Sequence, residues 1–370
     1  MKFSYWEIKT WLSNIDFVII GSGIVGLNCA LELRLKHPKS KIVVLEKGLV
    51  PYGASTRNAG FACFGSLTEI LSDLDSHSSL EVYELIKKRV SGLRRLRNLL
   101  GDKQIKYKQL GGNEIFLEND TEKLHHSLAK INEINELMEP LFNDKVFKLS
   151  RNTFNFKNTL DEIIFNKFEG QIDTGEMMDS LLNNVYKANI KVINNVSVEN
   201  YEDLGSSVQV CTDQFSLSCN KLFIATNGFS EAIIQEKVVP ARAQVLITKP
   251  IKNLRAIGTF HLQQGYYYFR NIDDRILLGG GRNLDFQAEN TSQFGITDSI
   301  QSKLEQLLTD VILPETNFEI DQRWSGIMGI GNKKTTITKQ LSNNVYCGVR
   351  LGGMGVAIGT NIGAELANLI

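Results

Sequence analysis

The chain has 370 residues, with 41 Lys and Arg set against 41 Asp and Glu, for a formal net charge of zero. That length allows about two domains and a substantial core, and the even charge leaves no global electrostatic footprint for nucleic acid. The five cysteines, at positions 29, 63, 211, 219 and 347, form no C-x-x-C pair. They fit free thiols in a reducing compartment and argue against a disulfide framework or a zinc site. The five histidines show no metal-ligand spacing, so no metal is expected, and the adjacent His125 and His126 read as solvated.

Residues 1–15 read as a short amphipathic lead-in whose Trp6, Ile8, Trp11 and Leu12 pack against the body. No leader pattern opens the chain, and no run approaches the roughly 18 apolar residues of a membrane span. A soluble cytoplasmic protein without an integral membrane segment is expected. Phe17, Val18, Ile19 and Ile20 then form an apolar run that a strand buried on both faces would show. It breaks at Gly21, and Gly21, Gly23 and Gly26 spell G-x-G-x-x-G ahead of a helical pattern through Ile24, Val25, Leu27, Ala30, Leu31 and Leu33. Strand, glycine turn and helix come in the order that a dinucleotide pyrophosphate needs, with the helix N-terminus facing the phosphates. A second buried strand, residues 41–46, ends in Glu46, twenty positions beyond Gly26. A carboxylate there accepts hydrogen bonds from an adenosine ribose and repels a 2′-phosphate.

Residues 51–65 are rich in small and hydrogen-bonding side chains, including Ser55, Thr56, Asn58, Ala59 and Gly60, and suit a loop laid against a flat ligand. Residues 68–100 read as one long helix, its Lys87-Lys88-Arg89 and Arg94-Arg95 charges forming the wet face. Residues 105–117 alternate like a strand pair around a Gly111-Gly112-Asn113 turn. A helix follows over 121–141, ended by Pro140, then short strands over 147–168 and a helix over 176–188. Strands are expected at 190–193 and 196–201. The run 221–228 is a buried strand that ends in Ala225, Thr226, Asn227 and Gly228. Residues 238–250 read as a strand carrying Arg242. Residues 265–281 read as a hairpin with Asp273-Asp274 in its turn and an aromatic face that suits either a pocket or the core. A helix over 300–308 and a strand over 318–324 follow. The chain closes with a strand over 344–350, a glycine loop holding Gly352, Gly353, Met354, Gly355 and Val356, and a helix over 360–370.

Taken together, GSGIVG with Glu46, GASTRNAGF, the middle strand near Val198, ATNG, Arg242 to Gln244, YYYFR with ILLGGGR, and GGMG before the last helix resemble the D-amino-acid-oxidase-like flavoenzyme family, which includes glycine oxidase and sarcosine oxidase. The likeness runs nearly end to end and is nearest to amine- and γ-glutamylputrescine-oxidoreductase-like members. It implies an α/β fold: a Rossmann-like FAD-binding domain of the glutathione-reductase type at 1–100, 145–238 and 326–370, with an inserted antiparallel-sheet and helix substrate domain at 101–144 and 239–325. It implies non-covalent FAD. Gly21, Gly23, Ile24, Val25 and Gly26 would hold the pyrophosphate, Glu46 and Lys47 the ribose, and the Val198 backbone would face the adenine. Ser55, Thr56, Asn58, Ala59, Gly60 and Ala225 to Gly228 would cradle the middle, and Gly352 to Val356 would reach the isoalloxazine. The implied chemistry is hydride transfer from the carbon of an amine or amino-acid-like substrate to the flavin, giving an imine that hydrolyses, with oxygen or a quinone-type carrier as acceptor. Tyr267 matches a pocket tyrosine. Where amino-acid-oxidising relatives carry arginines, this chain has Met328 and Gly353, which leaves Arg242, Arg323 and Arg350 as substitutes. Oxidation of a 2-hydroxy acid, with His261 as the base, and a flavoprotein role in an RNA-modifying assembly remain as alternatives.

Overall fold

The computed structural model describes residues 2–370. Strand β1 (Ile15–Ile20) leads into helix α1 (Ile24–Lys36), and β2 (Ile42–Leu45) returns parallel to β1 with Val18 opposite Val43 and Ile20 opposite Leu45. Buried on both faces, these strands need no polar alternation. Helices α2 (Leu67–Leu74) and α3 (Ser79–Leu100) replace the single helix expected over 68–100. The break is written in Ser78, whose side chain accepts from the Glu81 amide while Glu81 reaches back to the Ser78 amide. Strand β3 (Gly112–Ile115) corrects the expected hairpin at 105–117. Of the turn residues only Gly111 has a positive φ, so the chain runs on straight instead of reversing.

The second half adds β4 (Ser216–Ile224), β5 (Val239–Thr248), β6 (Thr259–Leu262), β7 (Tyr267–Ile272) and β8 (Arg275–Gly280). Asp273 and Asp274 both take positive φ in the tight turn joining β7 to β8, as a two-residue hairpin requires. Helix α4 (Asp298–Leu307), strand β9 (Ile320–Ile330), strand β10 (Val345–Val349) and helix α5 (Gly355–Ala367) complete the chain. Strand β9 outruns its expected end at 324, which carries Met328 on a strand, and α5 starts five residues before its expected Thr360. The helix Thr121–Phe142 passes through Pro140 and ends at left-handed Asn143. A proline in the last turn removes one hydrogen bond without stopping the helix.

Two eight-stranded sheets result. The first runs Ile337–Ser342, β10, β4, β1, β2, Lys191–Ile193, with strand Val208–Thr212 added against β4 and Val198–Asp203 against Val208–Thr212; its central strands are parallel. The second runs β9, β5, β8, β7, β6, β3, Glu162–Asn166, Phe147–Arg151 and is mainly antiparallel, with β3 and β6 parallel. The last two strands thus pair in the second sheet, whereas the expected division at 145 put them with the cofactor-binding part. Helices α1, α3 and α5 cover one face of the first sheet, and α4 covers the far face of the second through Ile300, Leu304 and Leu307. The lead-in is also corrected: Tyr5, Trp6, Ile8 and Trp11 are exposed, Trp6 at 69%, and Leu12 alone of the expected four packs against the core. The Lys9 ammonium lies over the Tyr5 and Trp6 rings and that of Lys191 over Trp11. Among the described residues no helix is long and apolar enough to cross a membrane.

Candidate active site

A cavity of about 1610 Å³ lies between the sheets and takes its walls from both. At one end is the turn after β1. A Cβ on Gly26 would stand 1.9 Å from the Gly21 carbonyl oxygen, so only glycine lets α1 start this close to the strand. Ser55 Oγ accepts from the Ile24 amide (3.0 Å), capping α1 from the neighbouring loop. Glu46 is buried; its Oε2 accepts from the Ser22 amide (3.0 Å) and hydroxyl (2.7 Å), and its Oε1 from the Gly48 amide (2.9 Å).

Of the residues proposed from sequence, the cavity brings together Gly21, Gly23, Ile24, Val25, Glu46, Lys47, Ser55, Asn58, Ala59, Gly60, Val198, Ala225, Thr226, Asn227, Met328, Arg350 and the loop from Gly352 to Val356. Apart from Arg242 and Arg323, taken up below, four lie outside its lining. Gly26 serves packing beneath the turn. Thr56 donates to the Pro51 carbonyl (2.8 Å) and shapes its loop. A Cβ on Gly228 would meet the Met328 carbonyl at 2.6 Å, so it too is a packing glycine. Tyr267 is the plain correction. It is 2% exposed and sits in the core under α4.

Strand parity explains Tyr267. Successive side chains on a strand point to opposite faces, so Tyr267 and Phe269 face the core while Tyr268 faces the cavity. The register places Glu114, His261, Tyr268, Gly279, Val245 and Trp324 opposite one another in one row across β3, β6, β7, β8, β5 and β9. Of these, His261, Tyr268 and Val245 line the cavity. Tyr266, also cavity-lining, precedes the strand. Burial raises the Tyr268 hydroxyl to about 12, so it stays neutral. Arg270 is buried as well and donates through Nε to the Ala59 carbonyl, holding the loop before Gly60 against the second sheet.

His261 Nε2 meets Glu169 Oε1 at 2.5 Å. Burial alone would lower the imidazole; the charges of Glu169, Glu114 and Glu69 and the hydrogen bond outweigh it, raising the group to about 9. At neutral pH it is a cation. The three arginines offered as substitutes fare differently. Arg242 forms a two-pronged pair with buried Glu289 (2.9 and 2.7 Å), and Arg323 pairs with Gln301 and Glu305 (both 2.7 Å); neither lines the cavity. Arg350 does line it, at a φ of +64°, but its Nε donates to the Thr335 carbonyl (2.9 Å). Arg57, whose role sequence did not suggest, lies 4.4 Å from the rings of both Tyr52 and Phe294. Cys63 and Cys347 are buried thiols, Cys63 pushed well up by burial and then by Glu169 and Glu69, Cys347 to about 11 by burial.

The residues present fit a long dinucleotide. The cavity exceeds the roughly 300–1,000 Å³ of ordinary small-ligand pockets, its lining includes Glu46, Val198, His261 and Met328, and Thr226 Oγ1 is buried in its wall with no partner in the protein. Comparison with known proteins agrees. The family model described as FAD dependent oxidoreductase (DAO) matches residues 16–369, and the chain belongs to that family. It is similar to a probable oxidoreductase OrdL of Haemophilus influenzae, 23% identical across 98% of this chain and 84% of that protein. Among solved structures, L-proline dehydrogenase from P. horikoshii shares the fold with a TM-score of 0.76 at 16% identity, covering 96% of this chain and 93% of that one. Glycine oxidase from Geobacillus kaustophilus does so at 0.75 and 14%, covering 96% and 94%. The chain is therefore an FAD-dependent oxidoreductase of this mixed α/β fold.

Proposed function

We propose that this chain oxidises the C–N bond of an amine or amino-acid-like substrate in the part of the cavity lined by His261 and Tyr268. FAD, when bound, supplies the two-electron acceptor for a hydride leaving the carbon next to nitrogen. The substrate then carries a C=N bond, and water completes hydrolysis to carbonyl and amine. Gly21, Gly23 and the start of α1 would hold the pyrophosphate, Glu46 and Lys47 the ribose, and Val198 the adenine. Ser55, Asn58, Ala59, Gly60 and Ala225 to Asn227 would line the middle, and Gly352 to Val356 with the start of α5 the ring. Under this reading the second sheet orients substrate and the first holds the cofactor.

What supports the choice of amine over alcohol is the contact of His261 Nε2 with the Glu169 carboxylate at 2.5 Å, which favours the charged imidazole. Oxidising a C–OH needs a base for the hydroxyl proton, and an imidazole already protonated at neutral pH does not supply one. A neutral amine needs only alignment. The test is anaerobic: purified holoenzyme is mixed with a panel of primary and secondary amines and of 2-hydroxy acids, and bleaching of the flavin is followed. Amines should bleach it. Bleaching by hydroxy acids alone would overturn the proposal. Reoxidation by oxygen or by a quinone then identifies the acceptor.

A further inference from the structure

We propose that His261, held as an imidazolium by Glu169, grips a carboxylate of the substrate through its Nδ1–H, so that the amine oxidised here also carries a carboxylate. The inference rests on the amine-oxidation reading for the word amine, but the anchor itself is a statement about His261.

His261 sits at the middle of the second sheet, 6% exposed, its ring 5.4 Å from that of Phe61 and lining the cavity. Nε2 is committed to Glu169. Nδ1 has no partner in the protein, and the ring keeps its remaining contact with the cavity. A charged donor open to the cavity and without a protein acceptor is free to bond a ligand, and an anionic acceptor makes the stronger, charge-assisted bond.

Glu169 is built in rather than incidental. It is 1% exposed and also accepts from Thr259 Oγ1 (2.7 Å), and its own carbonyl accepts from the Gly111 amide (3.0 Å). A Cβ on Gly112 would lie 2.3 Å from Glu169 Oε2, so a glycine on β3 opens the space the carboxylate fills.

The other groups facing His261 leave its outer nitrogen to the ligand. Glu114, opposite it on β3, accepts from Ser66 Oγ (2.8 Å), Thr68 Oγ1 and the Thr68 amide (3.2 Å), and burial raises its pKa above the ordinary carboxylate value. Glu69 on α2 faces the Arg89 guanidinium at 4.0 Å and the Lys334 ammonium at 3.8 Å. Tyr268 on β7 and Cys63 are neutral, both pushed up by burial. Arg242 and Arg323 are paired away from the cavity and Arg350 is tied to Thr335. Arg282, which lines the cavity, donates through Nη2 to Asn290 Oδ1 (2.6 Å) and keeps a buried Nε without a protein partner, a second cation that the acetate test on H261Q separates from His261. A fixed cation at this wall also disfavours the ammonium form of a bound amine, which keeps the nitrogen lone pair available.

The test uses FAD-loaded protein and acetate as probe, with acetamide as the uncharged control, reading the change in the visible absorption of the bound flavin. Acetate should bind wild type at least tenfold more tightly than H261Q, and wild-type binding should fade as pH passes about 9 while H261Q stays flat. Acetamide should not distinguish the two proteins. E169Q, which keeps the ring, should shift the fading to lower pH; it carries the test should H261Q fail to retain FAD. Equal acetate affinity in wild type and H261Q across this range, or an unmoved pH profile in E169Q, overturns the anchor. Because acetate binding needs no turnover, the anchor survives or falls independently of the amine panel. If amines do bleach the flavin, H261Q should raise KM for a carboxylate-bearing amine at least tenfold with kcat nearly unchanged, and should leave KM for its carboxamide analogue in place.

Discussion

The buried pair of His261 and Glu169 should be visible in the pH dependence of stability as well as in binding. Folding raises the imidazole from 6.5 to about 9, which at about 1.4 kcal/mol per unit corresponds to about 3 kcal/mol. The folded state holds the proton more tightly, so this contribution is complete below the unfolded value of 6.5 and is lost as pH rises through about 9. Urea unfolding of wild type and H261Q, both saturated with FAD, measures it as a difference of differences between about pH 6.5 and about pH 9.5. Cysteines and tyrosines that titrate in the same range are common to both proteins and cancel. Wild type should lose roughly 3 kcal/mol more than H261Q over that interval. A stability gap that stays constant with pH would mean that His261 is neutral when folded, and both the preference for amines and the carboxylate anchor would lose their footing.

Three further outcomes are expected. Gly26→Ala would bring a methyl 1.9 Å from the Gly21 carbonyl oxygen; displacing α1 should cost roughly 1–3 kcal/mol or more and weaken FAD binding, and a wild-type affinity in an FAD fluorescence titration would refute the packing account. Tyr268→Ala should raise KM about tenfold, about 1.4 kcal/mol of lost contact, whereas Tyr267→Phe should leave KM within about twofold; steady-state kinetics showing the reverse would overturn the strand parity. Arg242→Met leaves Glu289, which is 1% exposed, without its partner, and should cost roughly 3–5 kcal/mol in thermal unfolding while acetate affinity stays put. A loss of affinity without loss of stability would restore Arg242 as an anchor.

The cofactor end was legible because its physics is local. Gly21, Gly23 and Gly26 act within one turn, and the flanking apolar run needs no distant partner to read as a buried strand. The substrate end was not. Choosing Tyr267 over Tyr268 is a question of which face of β7 meets α4, and three consecutive tyrosines give a period-two pattern no contrast. Glu169 reaches His261 from a loop far back in the chain, where a lone acid reads as a surface residue. Arg242 stood out as a cation inside an apolar run, but its partner Glu289 belongs to an irregular segment, so the closed ion pair was invisible. At residues 105–117, Gly-Gly-Asn has the composition of a turn; the pairing of β3 with β6 and with Glu162–Asn166 overrides it.

Helix α1 emerges early in synthesis, but Ile24 and Val25 are covered by α5, whose residues are made hundreds of codons later. Between those events the ribosome delivers most of the second sheet. The apolar flank of α1 must therefore wait, shielded only by transient contacts or by chaperones, until the distant helix arrives to seal it. A product truncated before α5 would leave that apolar flank of α1 uncovered and open to contacts with other chains.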